Sequence, residues 1–241
     1  MPNRTQVWKN AGDRMKLVAL TSEQNNGQII IKSAHSDSVS KTVIETEYTV
    51  DIDGAIKIKR QIDISDNNLP EIPRIGVKFT LSGDFNYVSW FGRGPHESYW
   101  DRKQSAAIGL YSGSVWDQTF QYVRPQETGN KTDVYWMALE GNSTGLMAIG
   151  LPQFDGSVHQ YPYEDLDYYP NSQKHGKLDI VPKNQTDWLI DYRQMGVGGD
   201  NSWGAKPMKK YTLYPGLYEH SFMLVPFKIG SDLKRISKRR I

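Results

Sequence analysis

The chain is predicted to be all-β, a large antiparallel β-sandwich, and three observations carry that prediction. Apolar and polar residues alternate over several short runs, tight-turn dipeptides separate those runs, and no run keeps helical spacing long enough for an amphipathic helix. With 241 residues, 38 % of them hydrophobic, the chain has the length and apolar content of one sandwich with its own core.

The elements follow in order. "MKLVAL" and "QIIIK" flank Asn26–Gly27, and "KTVIETEYTVDI" and "AIKIKRQIDI" flank Asp53–Gly54. Both dipeptides are tight hairpin signals, because Asn, Asp and Gly tolerate positive φ. Ile56, Ile58, Ile62 and Ile64 fall on one parity, with Arg60 the only break. Ile75, Val77, Phe79 and Leu81 do the same. Side chains in a strand alternate faces, so each run buries one face. "DVYWMALE" and "GLMAIGL" flank Gly141–Gly145, and "KKYTLY" and "LYEHSFMLVPF" flank Pro215–Gly216. The one helical candidate is short, Tyr163 to Gln173, and Pro170 curtails it. The sum is about a dozen strands or more, in the manner of a large sandwich, with no internal repeat and no low-complexity linker.

Composition narrows the function classes. There are 29 basic and 27 acidic residues, a net charge of +2, so no nucleic-acid footprint is expected. The one basic cluster, "LKRISKRRI" from Leu233 to Ile241, reads as a solvated tail. No cysteine is present, which excludes disulfides and thiolate metal sites but leaves cytoplasm and periplasm equally open. "MPNRTQVWKNAG" has no apolar h-region and no run is apolar enough for a spanning helix, so no membrane partner is expected.

Few residues offer chemistry on their own. His35, His96, His159, His175 and His220 show no metal-ligand spacing, and there is no nucleophile elbow or phosphate loop. Glu164, Asp165 and Asp167 crowd one segment. A glycosidase needs two carboxyl groups roughly 5 to 9.5 Å apart, but a solvated turn explains the cluster more simply. A different stretch raises a sharper question. "QMGVGGDNSWG", Gln194 to Gly204, sets Trp203 among glycines. Either the loop folds back and the indole is core, or the ring waits for a flat apolar partner.

Two further segments join this one: "WFGRGPHESYWDRK", Trp90 to Lys103, and "YVRPQETGNKTDVYW", Tyr122 to Trp136. The marked residues are Gly92, Gly94–Pro95, Glu97, Tyr99 and Asp101–Arg102 in the first, and Pro125–Gln126–Glu127, Gly129 and Thr132–Asp133–Val134 in the second. Gly196, Gly198–Gly199–Asp200 and Ser202–Trp203–Gly204 complete the set in the third. In this order the trio resembles the carboxy-terminal sandwich, or small chain, of the β-galactosidases of glycoside hydrolase family 2. The likeness runs from Trp8 to Phe227. Ser98, Thr128, Lys131, Tyr135 and Asn201 depart from the family's commoner residues.

The resemblance implies more than the residues do. It implies a supersandwich of the galactose mutarotase-like kind that buttresses a catalytic (β/α)₈ barrel. The barrel's two glutamates act by retention on terminal β-galactosides such as lactose, and none of the catalytic residues is in this chain. The chain as given, residues 1–241, then reads as a C-terminal piece of a longer polypeptide, cut inside the domain on its N-terminal side. Its partners are the galactoside and the remaining domains, in an enzyme that is a homo-oligomer when full length. The family often uses magnesium and a monovalent cation, neither expected in this chain.

By the same resemblance Trp203 is one wall of the sugar pocket, with Gly198, Gly199, Asp200 and Ser202 supporting its loop. Asp200 is expected to accept backbone N–H groups there. Asp101 and Arg102 are expected to form a buried ion pair, and Gln126 and Glu127 to fix a loop at the interface with the other domains. His96 and Glu97 are adjacent, and two neighbours on a strand would point to opposite faces, which argues against a mutarotase pair. Two other readings stay open: a carbohydrate-binding module with its own affinity, and a mutarotase-like sugar epimerase.

Overall fold

The computed structural model describes residues 3–120, 122–123, 125–167, 180–201 and 203–240. Eleven strands appear among them: β1 (Lys16–Asn25), β2 (Gln28–Asp37), β3 (Thr42–Val50), β4 (Ile56–Asp63), β5 (Arg74–Ser82), β6 (Tyr87–Gly94), β7 (Ala107–Ser114), β8 (Lys131–Glu140), β9 (Thr144–His159), β10 (Gln185–Gln194) and β11 (Leu217–Lys228). All pairings are antiparallel, in the order β1-β2-β3-β4-β11-β9-β8-β6-β7, with β10 joining β9 to β5. This is the all-β sandwich that the alternation predicts.

β9 makes two layers out of one ladder. Its residues 144–150 pair with β11, and its residues 155–159 pair with β10. The second layer folds over the first, so that Phe79 of β5 meets both Trp188 of β10 and Phe222 of β11, each with 6.4 Å between ring centroids. Trp90, Met137, Phe154 and Trp188 fill the space between the layers, all fully buried. Burying each such side chain contributes about 1.5–3 kcal/mol relative to exposure.

Arg60 explains the break in its apolar row. It sits on the inward parity of β4, and its Nη1 donates to the carbonyl of Gly76 in β5 at 2.9 Å. The residue crosses between layers instead of packing within one.

The turns divide. Asn26 and Gly27 both have positive φ, 49° and 82°, and close the two-residue hairpin expected of them. Asp53–Gly54 instead lies in a longer connection, where only Gly54 has positive φ and Asp51 N–H bonds the Ala55 carbonyl. "KKYTLY" is not a strand. Lys209–Tyr211 form a 3-10 turn, and a single bridge joins Leu213 to Ile72. The reason is that Tyr211 and Thr212 donate their N–H groups locally, to Met208 and Lys209. The helical candidate is a 3-10 turn over Tyr163–Leu166, and its remainder from position 168 lies outside the described residues.

The basic tail corrects the sequence reading. A short helix, α1 (Leu233–Ile236), is capped by Asp232. Leu233 and Ile236 lie against the second face of the central strands, where Trp136, Met147, Ile149, Met223, Val225 and Phe227 are buried. Arg239 then pairs with Asp51 and Asp53, at 2.6 Å to each. Two apolar residues one turn apart and a guanidinium matched to two carboxylates dock the tail, although its other lysines and arginines face water. No helix among the described residues is long and apolar enough to cross a membrane.

Candidate functional site

The three glycine- and charge-rich segments meet at one place, joined by two carboxylates four positions apart. Glu97 holds the second segment. It accepts the Gly129 N–H at 2.8 Å and the Thr128 hydroxyl at 3.2 Å, and the Tyr122 hydroxyl donates to its other oxygen. Beside it Ser98 N–H bonds the Asn130 carbonyl at 2.8 Å, and Asn130 Nδ2 returns a bond to the Ser98 carbonyl at 2.9 Å. Burial, then Glu97, pushes the Tyr122 phenol up to about 12. This phenol therefore stays a donor at neutral pH.

Asp101 holds the third segment. Its carboxylate accepts the Val197 N–H at 3.1 Å and the Gly198 N–H at 2.9 Å. The approach requires glycine: a Cβ on Gly196 would lie 2.6 Å from Asp101 Cγ. The preceding N–H groups are taken as well. Gln194 donates to Asp155 at 3.3 Å, Met195 to the Pro73 carbonyl at 3.0 Å, and Gly196 to the Tyr211 carbonyl at 2.7 Å. Trp100, next to Asp101, packs its ring against Tyr211 and beneath the Arg193 guanidinium. Five consecutive backbone donors fix the base of this loop, so its path leaves the sandwich in a set direction.

Beyond the base the loop holds itself. Gly198 and Gly199 take φ of 66° and 91°, values that a side chain resists. Asn201 Oδ1 accepts the N–H groups of Trp203 at 2.9 Å and Ala205 at 3.3 Å, an Asx-type turn. Trp203 stands at the tip with 93 % of its surface exposed. Of the two outcomes open to this ring in the sequence, the folded-back core is not the one observed.

The other expected site residues are placed as follows. Asp101 and Arg102 do not pair with each other: Asp101 faces the loop, and Arg102 lies over the Tyr99 ring at 5.7 Å. The carboxylate is matched to backbone dipoles, which removes the need for the expected ion pair. Asp200 is exposed, and among the described residues the loop's N–H groups go to Asp101 and Asn201 instead. Ser202 lies outside the described residues. Gln126 is exposed beside buried Pro125, and Glu127 accepts the Tyr163 hydroxyl and faces Arg74 at 3.6 Å. His96 bonds Ser105 at 3.0 Å, away from Glu97. Glu164, Asp165 and Asp167 each meet a lysine, respectively Lys78, Lys183 and Lys9, which makes them a paired surface and not a carboxylate dyad.

Sequence reasoning missed Asn201, Trp100, Arg74, Asp155 and Asp191. Asn201, two positions before Trp203 in a glycine-rich turn, carried an Asx signal. Trp100 lies within the first segment but carried no signal of its own, and Arg74, Asp155 and Asp191 are single residues in three strands whose meeting depends on register. Two clefts among the described residues lie elsewhere: a trough of about 700 Å³ over Lys32, Glu47 and Lys59, and a mostly apolar cleft of about 530 Å³ over Tyr48, Ile58 and Phe79. Neither is lined by the three segments. No three His, Cys, Asp or Glu residues among those described converge as a metal ion would need.

Comparison with known proteins agrees with the trio. The family described as the β-galactosidase small chain matches residues 2–224. A β-galactosidase of Priestia megaterium is 37 % identical over 92 % of this chain and 21 % of its own length. One from Alteromonas mediterranea is 30 % identical over 89 % of this chain and 21 % of its own length. The chain thus spans about a fifth of these relatives. Among solved structures, galactose 1-epimerase from Lactobacillus acidophilus NCFM overlaps 87 % of this chain and 66 % of its own at 8 % identity, with a TM-score of 0.46. The chain belongs to the β-galactosidase small-chain family.

Proposed function

We propose that this chain is the C-terminal sandwich of a glycoside hydrolase family 2 β-galactosidase, that it buttresses the catalytic barrel, and that Trp203 forms one wall of the galactoside pocket. The observation that carries the reading is the contrast between a base held by five backbone hydrogen bonds and a tip indole 93 % exposed. A large apolar ring is held out in water on a loop of set direction. Galactose presents a flat face of C–H groups, and covering roughly 60–100 Å² at about 25 cal/mol per Å² contributes on the order of 2 kcal/mol. That is more than about tenfold in binding.

Hydrolysis with retention needs an acid/base and a nucleophile about 5–5.5 Å apart, and in this reading both belong to the barrel. The contribution of this chain is to bind, orient and exclude water from one side of the sugar. In this reading the magnesium and monovalent cation of the family belong with the other domains; the carboxylates that organise the three segments and their surroundings are taken by lysines, arginines and backbone N–H groups. Apolar residues exposed on β1, Leu17, Val18 and Leu20, offer contact surface to neighbouring domains.

The test is complementation. The chain alone is expected to leave a nitrophenyl galactoside intact, and to restore turnover when mixed with the remainder of a β-galactosidase made without it. Turnover by the purified chain alone, scaling with its concentration, would overturn the assignment of catalysis to other domains. One observation favours a second reading, a sugar-binding module: Phe91 and Tyr135 stack at 5.1 Å on an exposed face. Calorimetric titration with lactose at millimolar concentration decides it, and an absence of heat from binding removes that reading.

A further inference from the structure

Beneath the loops lies a buried charge cluster that the proposed function does not use. Its centre is Arg74, the first residue of β5, which belongs to none of the three segments. Arg74 stands across from Gln194 in the β5–β10 register, and its Nη2 donates to Gln194 Oε1 at 2.9 Å. Gln194 is the residue from which the Trp203 loop departs. The same Nη2 faces Glu127 Oε1 of the second segment at 3.6 Å, and the guanidinium lies 5.0 Å over the Tyr163 ring, whose hydroxyl donates to Glu127.

The cluster has a reason to hold its shape. Arg74 Nε approaches Asp191 Oδ2 at 2.8 Å, but off the N–H axis, so neither Asp191 oxygen gains a hydrogen bond. Asp191 is 1 % exposed, and a buried carboxylate without its counter-charge is strongly destabilising. Burial pushes Asp191 up to about 7, against the pull of Arg74. Room for the carboxylate comes from Gly76, where a Cβ would sit 1.8 Å from Asp191 Oδ1. Arg74 is thus tied to Asp191 on one side, and on the other its Nη2 alone faces both Gln194, at the end of β10, and Glu127, while Nη1 has no hydrogen-bond partner.

We infer that Arg74 is a positioning residue that locks the Glu127 segment and the Trp203 loop to one another. Only a planar guanidinium serves this role, because it offers separate N–H groups in fixed directions and lysine offers one compact charge. The inference rests on the proposed role of Trp203 only for its bearing on the substrate. The coupling itself is a property of this chain.

Amide hydrogen exchange on the whole chain, without sugar, tests it. Glu127→Gln is expected to speed exchange at Gly196–Gly198 about fivefold, although Glu127 does not touch that loop. Arg74→Lys is expected to loosen both segments while β1–β3 exchange as before, and in that background Glu127→Gln adds nothing further to the loop. A role in charge balance alone would be rescued by lysine. Wild-type exchange in Arg74→Lys, or an effect of Glu127→Gln confined to its own segment, overturns the inference. Should Arg74→Lys fail to fold, Gln194→Ala must loosen residues 125–130 with Arg74 intact, and its failure to do so is equally decisive. Since no substrate is present, a failure of Trp203 as a pocket wall leaves this result standing.

Discussion

The second and third segments are held by the same device and end in opposite states. Each gives its backbone N–H groups to a carboxylate of the first segment, Glu97 in one case and Asp101 in the other. Glu97 grips the second segment in its middle, and Thr128, Gly129 and Asn130 are buried around it. Asp101 grips the third only at its base, and the tip beyond is held by its own Asn201. The difference teaches where structure stops and presentation begins: a loop pinned at its centre becomes core, and a loop pinned at its root becomes a support for what it carries.

Breaking the grips tests that comparison, and the centre grip is expected to matter most. Glu97→Ala strands the Gly129, Thr128 and Tyr122 donors, and is expected to cost about 2–4 kcal/mol in urea unfolding. A loss within the noise would mean that the second segment is held by packing alone.

Asp155, which receives the Gln194 N–H at the root of the third loop, offers a test by pH. Burial pushes it up to about 6, with Arg193 nearby acting in the opposite sense. A carboxyl raised in the folded state stabilises the fold below its unfolded pKa, and that contribution is lost as pH rises through the folded one. Asp155→Asn removes the titration but keeps an acceptor. Its stability relative to wild type is therefore expected to rise by ~2–3 kcal/mol between pH 4 and pH 7, as read by melting at both pH values.

Asp101→Ala, which releases only the root, is expected to cost about 1–2 kcal/mol and to speed exchange in the third loop well above the smaller effect that Arg74 passes to the second segment. An equal effect in the second segment would merge the two grips into one. Asn201→Ala is smaller again, about 0.5–1 kcal/mol, and confined to the tip. Trp203→Ala is expected to change stability by less than about 0.5 kcal/mol, as for other surface positions.

Much of this fold was legible in the sequence. The parity of Ile58, Ile62 and Ile64 and of Ile75, Val77 and Phe79 names the inward faces, and Asn26–Gly27 names its hairpin. Period-two patterns are local, and a strand declares its buried face without knowing its partner. "KKYTLY" misled for the same reason: it alternates, but its backbone groups are taken by turns. The site was legible only as a set of segments. Glu97, Asp101 and Trp203 stand out by composition and by family likeness, but Asp101 serving the loop and not Arg102 depends on the register that brings residue 101 to residue 197. Arg74, Asp155 and Asp191 are isolated charges in three strands, and no spacing rule joins them.

The central claim is that the third loop exists to present Trp203, and the most direct measurement is the KM of Trp203→Ala for a nitrophenyl galactoside after assembly with the remainder of a β-galactosidase made without this chain. The account predicts KM raised about tenfold or more, with assembly and melting as in wild type. An unchanged KM at equal assembly would contradict it and leave the indole without a part in substrate binding.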